Sequence, residues 1–330
     1  MNRKAASALA AAGITAALMA LALRNVRLAE LWAVLSGARW RWLPVMAAIG
    51  AVDLGIRAVR WRILLSRSGA KTGFFQLYRL VTIGLAVNNV LFMRLGEVAR
   101  AFLAARELEV PMATALASVA VERALDVAAL LSLFAFASAG VPELVPAAYR
   151  RLGLLALAGA LGALVALAAA EGPLEPGGWA EARLRRWPRV HALVVQLAAG
   201  AAVLRSPAAA GKAAALSLAL WSVDALMYWA GARALELGWA VSYARSILVL
   251  SWAGAGSALP AAPGGFGTFE AAVKGILVNF GVPPHAALGY AFFTHMVMYL
   301  FVTGLGLAFL YQVGLSLGEL RSALSRKERA

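Results

Sequence analysis

Glu122-Arg123-x-x-Asp126 is a constellation able to do chemistry, because it stands inside the apolar run 112–139. Ionisable groups in hydrocarbon are expensive unless they pair or face water, so three together mark a functional site or a buried ion lock. On a helix Glu122 and Asp126 share a face at i,i+4, and Arg123 reaches Asp126 at i,i+3. Two acids against one base leave a surplus negative charge, which Arg79, Arg94 or Arg100 would balance. A second constellation is Asn88-Asn89 with Arg94-x-Gly96-Glu97-x-x-Arg100. The amides can satisfy broken-helix backbone or hydrogen-bond a headgroup. Arg94 and Arg100 suit a phosphate, and Glu97 can cap a returning helix or balance those arginines. The alternative is an interfacial loop with snorkelling arginines.

The stretch from Pro260 to Gly267, with Glu270 after it, is the third. It points the start of the run 266–280 inward, and free N–H groups at a helix start bind anions. Gly264, Gly265 and Gly267 would let a phosphate approach, with Glu270 satisfying that end when no anion is present. A plain turn explains the glycines but not Glu270 and Lys274. Asp53 and Asp224 are single acids in apolar runs; each pairs with an arginine or serves as a proton site in coupled transport. His295 reads as a hydrogen-bonded core residue. Arg57, Arg60, Trp61, Arg62, Arg67 and Lys71 with Phe74, Phe75 and Tyr78 read as a basic-aromatic collar at the inner membrane surface, and Trp40 and Trp42 as an outer aromatic belt. Three histidines far apart and no cysteine exclude thiolate chemistry and the usual metal-site spacings.

The elements that must position these groups follow from composition. Of 330 residues 62% are hydrophobic and 14% charged, which excludes an ordinary soluble domain and a disordered chain. Apolar runs at 5–23, 43–56, 112–139, 152–170, 213–232 and 285–312 read as six full helical spans. Two further regions break: 77–93 at Arg94–Glu97, followed by the mixed stretch 98–106, and 246–259 at the Pro/Gly segment before 266–280. Each reads as a helix–break–helix hairpin, re-entrant or crossing twice; charge counting does not separate the two. The fold class is all-α polytopic membrane protein, one transmembrane domain over 1–330, with a short cytoplasmic loop at 171–191. The net charge of +15 points to anionic lipid headgroups rather than nucleic acid. Its distribution places both termini in the cytoplasm.

An internal repeat links the two breaks. Val52-Asp53 matches Val223-Asp224, Gly96-Glu97 matches Gly267 and Glu270, and Val110-Pro111 matches Val282-Pro283, at nearly one offset. The pseudo-repeats run over about 1–140 and 150–316. Three crossings per half make them inverted, an architecture recurrent in transporters, with substrate held between paired broken helices.

These residues resemble a family. Asn88-Asn89 through Arg100, Glu122-Arg123-x-x-Asp126 and Leu259-Pro260-x-x-Pro263-Gly264-Gly265-x-Gly267-x-x-Glu270 look like the lysylphosphatidylglycerol synthase transmembrane, or flippase-like, family, over about 57–312. Many relatives carry a proline in the first break, where this chain reads Leu91-Phe92-Met93-Arg94. The resemblance implies translocation of a phospholipid between leaflets, anionic or aminoacylated, through a polar intramembrane cavity. It implies no cofactor and, because the chain ends soon after its last span, no aminoacyl-transferase activity: a transporter rather than an enzyme, with a homo-oligomer left open. The substrate-binding set is then Asn88, Asn89, Arg94, Glu97, Arg100, Glu122, Arg123, Asp126, Gly264, Gly265, Gly267 and Glu270, with Asp53 and Asp224 for proton coupling. The alternative is a secondary transporter of a small anionic solute.

Overall fold

A computed structural model of the chain describes residues 13, 15–24, 26–91, 95–170, 178–258, 263–315 and 317–319. Among them there is no strand. A helix covers 15–23 (α1), the described part of the first expected span. Then follow α2 (Leu28–Ser36), α3 (Leu43–Leu64), α4 (Phe74–Val90), α5 (Leu95–Glu107), α6 (Met112–Gly140), α7 (Ala147–Ala169), α8 (Trp179–Leu184), α9 (Pro188–Ala201), α10 (Pro207–Ala234), α11 (Tyr243–Ala258), α12 (Thr268–Asn279) and α13 (Pro284–Gln312). Among the described residues four helices are long and apolar enough to cross a membrane: Trp40–Leu64, Ala147–Ala169, Pro207–Ala234 and Pro284–Gln312. The protein is an all-α, multi-pass membrane protein.

Three expectations about elements are corrected. The span expected to end at residue 56 continues to Leu64. No proline lies between Pro44 and Leu64, and the short 3-10 turn Ser66–Ser68 that follows ends at Gly69, whose φ of 74° is left-handed; Arg57 and Arg60 therefore lie within the helix. The mixed stretch 98–106 is helical throughout as part of α5. The described part of the loop expected at 171–191 holds α8 and the start of α9. Pro188 at its first turn starts α9, and an apolar face packs it on α6 and α7. A Cβ on Gly200 would sit 2.6 Å from the Ala117 side chain, so the α9–α6 crossing needs glycine there.

Both breaks are present. α4 ends at Val90 and α5 begins at Leu95; α11 ends at Ala258 and α12 begins at Thr268. Residues 92–94 and 259–262, hence Arg94 and Pro260, lie outside the described residues. In the second break Gly264, Gly265 and Gly267 have φ of 75°, 73° and 82°, a reversal that residues with a Cβ adopt only under strain. α4 folds back against α5, and α11 against α12. The turn Pro263–Gly265 of the second hairpin packs on α4 of the first, and α13 packs along α4. α3 and α10 pack side by side in opposite directions: Arg39 N–H donates to Ala234 O, while near the other end Arg60 meets Ser217. Apolar side chains gather in two cores. One centres on α10–α13, the other on α3–α6.

Candidate functional site

α6 presents Ser118, Glu122 and Asp126 on one face at four-residue spacing, and all three are buried. Arg100 of α5 holds Glu122 as a two-pronged fork, Nη1 to Oε1 at 3.2 Å and Nη2 to Oε2 at 2.8 Å. Arg123 Nη2 donates to Glu122 Oε1 at 2.7 Å and lies 3.1 Å from Asp126 Oδ2. Its Nε stands 3.9 Å from Glu97 Oε1. The expected i,i+3 pairing of Arg123 and Asp126 and the balancing role of Arg100 are both present. Arg79 instead pairs with Glu107 at the far ends of the hairpin arms.

The sequence reading misses the centre of this network. Arg60 of α3 is wholly buried. Its Nη1 donates to Asp126 Oδ1 at 2.5 Å and to Ser217 Oγ of α10 at 2.8 Å, and its Nη2 lies 3.4 Å from Glu122 Oε1. Trp61, also wholly buried, donates its indole N–H to Ser118 Oγ at 2.9 Å, and the Arg100 guanidinium lies 4.3 Å over its ring. Trp221 of α10 donates to Asp126 Oδ1 at 3.1 Å. Arg60 and Trp61 are thus not part of a surface collar. The signal that places them was the helical spacing Asp53-x-x-x-Arg57-x-x-Arg60-Trp61 in a stretch with no proline.

Arg60 therefore joins the expected balance of Arg100 and Arg123 against the two acids as a further arginine. Arg60, Arg100 and Arg123 face Glu122 and Asp126, with the half-buried Glu97 at the margin. Arg60 Nε and Nη2 and Arg100 Nε are buried without a hydrogen-bond acceptor among the described residues. Beside the network, Arg57 Nε donates to Asp53 Oδ2 at 2.7 Å on the same helix. Arg57 also lies 5.8 Å over the Trp221 ring. Asp224 of α10 makes no hydrogen bond or ion pair with a described residue. The network is closed in this conformation: its carboxylates are buried and ion-paired with arginines, although Asp126 Oδ2 accepts no hydrogen bond from a described residue.

The other expected residues form a second group. Asn88 Oδ1 accepts from the Gly96 N–H at 2.7 Å, so this amide satisfies the start of the returning arm. A Cβ on Gly96 would collide with Gly84 O and Asn88, which is why the two arms approach so closely. Asn89 Nδ2 donates to Thr303 Oγ1 of α13 at 3.0 Å. Across the bundle, Glu270 Oε2 accepts from Gly267 N–H at 2.6 Å, closing the α12 start as expected. Glu270 Oε1 lies 2.6 Å from His295 Nδ1, and His295 Nε2 lies 2.9 Å from Gly264 O. Phe269 stacks on the imidazole at 4.3 Å, with Phe266 at 4.7 Å. Lys274 Nζ donates to Ala22 O and Arg24 O, anchoring the end of α1. Gly265 serves as acceptor for Thr268 Oγ1. No hydrogen bond or ion pair among the described residues joins the Glu270–His295 group to the arginine network. No group of three His, Asp or Glu side chains among the described residues is arranged to hold a metal ion.

The family model of the lysylphosphatidylglycerol synthase TM region matches residues 8–306. No curated protein matches the chain. The chain belongs to the lysylphosphatidylglycerol synthase TM-region family.

Proposed function

We propose that this member of the lysylphosphatidylglycerol synthase TM-region family carries phospholipid, with an anionic or aminoacylated headgroup, from one leaflet to the other, and does no covalent chemistry of its own. One observation carries the reading. Inside the helical bundle three arginines face two carboxylates, and buried guanidinium donors of Arg60 and Arg100 find no acceptor among the described residues. A phosphodiester supplies those acceptors in the planar, two-oxygen geometry a guanidinium prefers. An ammonium on an aminoacylated headgroup would take Glu122 or Asp126 from its arginine. Transport then exchanges internal ion pairs for headgroup ion pairs, so no charge is left bare in hydrocarbon.

The hairpin lengths support the reading. At about 1.5 Å per residue, α5 and α12 are about 20 Å and 18 Å long, short of the ~30 Å hydrocarbon core. Arms about two thirds as long as the core is thick suit re-entrant elements that line a path. With both termini in the cytoplasm, one hairpin enters from each side, and the halves are inverted copies. A small anionic solute is the competing cargo, favoured by the complete burial of Arg60 and Glu122 away from lipid.

Proteoliposomes holding headgroup-labelled phosphatidylglycerol, with membrane-impermeant quencher outside, test the proposal. Wild-type protein should move label between leaflets at least tenfold faster than the Arg100→Lys variant, which keeps the charge and loses the fork. Movement no faster than in protein-free vesicles, or equal in the variant, overturns it. Uptake of radiolabelled phosphate without lipid movement would establish the solute carrier instead.

A further inference from the structure

We infer that the rim between the end of α3 and the start of α4 binds one anionic phospholipid, at a site separate from the arginine network. Two cavities have adjacent linings there. A polar one of about 450 Å³ is lined by Arg62, Ser66, Lys71, Thr72 and Gly73. An apolar groove of about 680 Å³ begins at the next residue, Phe74, and is lined by Val52, Gly55, Phe75, Leu305 and Phe309. Both volumes fall within the range of ligand sites, about 300–1,000 Å³. α3 supplies a wall to each: Gly55 and Arg62 are two helical turns apart on one face, about 10 Å. The tip of Phe74 lies 3.7 Å from where a Gly55 Cβ would stand, so the missing side chain leaves the groove open to that ring.

The charges there are uncommitted. Arg57 is bound by Asp53 and Arg60 by Asp126; Arg62 and Lys71 are exposed and make no ion pair with a described residue. Two cations with the Ser66 and Thr72 hydroxyls beside them match a phosphodiester that carries no compensating ammonium. The groove below, walled by three helices with Phe75 81% exposed, matches the acyl chain of the same molecule. A zwitterionic headgroup would place its ammonium against Arg62 and Lys71. The order polar pocket, then apolar groove, along a single helix face is that of an amphiphile. The site stands whether or not the protein transports lipid.

Native mass spectrometry of the detergent-purified protein, titrated with dioleoyl phosphatidylglycerol or dioleoyl phosphatidylcholine, tests this. The wild type should bind one phosphatidylglycerol about thirtyfold more tightly than the double variant Arg62→Ala/Lys71→Ala, which loses two cations at about 1 kcal/mol each near the surface. The double variant should bind the two lipids equally. Gly55→Leu, which fills the groove while leaving both cations, should weaken both lipids. Arg151→Ala, a surface cation elsewhere, should change nothing, and thermal unfolding should match wild type in all three. Equal affinity of wild type for the two lipids, or unchanged phosphatidylglycerol affinity in the double variant, overturns the inference. Neither readout involves transport, so failure here is distinct from failure of the liposome assay.

Discussion

Arg60 joins α3, α6 and α10 through one guanidinium, and its surroundings set what its loss must do. Removing it leaves Asp126 with the Trp221 indole and a shared Arg123, and removes a contact to Glu122. Breaking one partner of a buried pair destabilises by about 3–5 kcal/mol, whereas replacing both by apolar groups of similar volume is often neutral. Arg60→Met should therefore lower the thermal unfolding midpoint in detergent by several degrees, and the double variant Arg60→Met/Asp126→Leu should recover most of that loss. If the lipid reading holds, the double variant stays inactive in the liposome assay. Full stability of the single variant would show the pair to be peripheral. Glu122, Arg123 and Asp126 are legible in the sequence because charge is conspicuous against an apolar run. Arg60 and Trp61 are not, since a cluster of arginines and aromatics after an apolar run has the same composition whether it lies in a helix or at the lipid surface.

At the scale of elements, the hairpins are legible because their breaks are written in glycine, proline and asparagine. The second break requires left-handed backbone at three glycines, and the first requires Gly84 and Gly96 to touch. Substitutions should separate these two demands. Gly267→Ala combines a φ of 82° with a Cβ placed 2.7 Å from Thr15 O, and should destabilise by more than about 2 kcal/mol. Gly281→Ala has a φ of 85° but nothing within 4 Å, and should lose only about 1 kcal/mol. Gly96→Ala should push α5 off α4, while Gly275→Ala, helical and unobstructed, should raise stability by about 0.5–1 kcal/mol. Chemical denaturation of the four variants in one detergent checks the order, and equal effects at Gly267 and Gly281 would remove the packing argument. The short helices α2 and α9 are not legible. Nothing in their composition separates a helix lying along a bundle from a loop, since tertiary packing rather than propensity stabilises pieces this short.

Over the whole molecule, one order of helices occurs twice. α3, α4, α5 and α6 run 22, 17, 13 and 29 residues; α10, α11, α12 and α13 run 28, 16, 12 and 29. The pairings recur as well: α3 packs on α4 as α10 does on α11, and α5 on α6 as α12 does on α13. The antiparallel contact of α3 with α10, with Arg39 beside Glu236 at one end, is the relation that inverted copies require. The chain contains no cysteine, so one introduced thiol reports its own position. Ser68→Cys after α3 and Ser206→Cys before α10 should react with an impermeant maleimide from the same side of the membrane; Arg41→Cys and Glu236→Cys should react from the other. The tips of the hairpins decide between re-entrant and spanning forms. A spanning first hairpin carries Leu91→Cys to the face opposite Ser68→Cys, where the reagent would label it strongly. A re-entrant hairpin ends within the bundle, against α13 and the turn of its counterpart. Leu91→Cys is then shielded from that opposite face, as Ser257→Cys is from the face opposite Arg41→Cys. Strong labelling of either tip from the opposite face would extend that hairpin across the bilayer, and with it would go the paired short arms on which a shared path between leaflets depends.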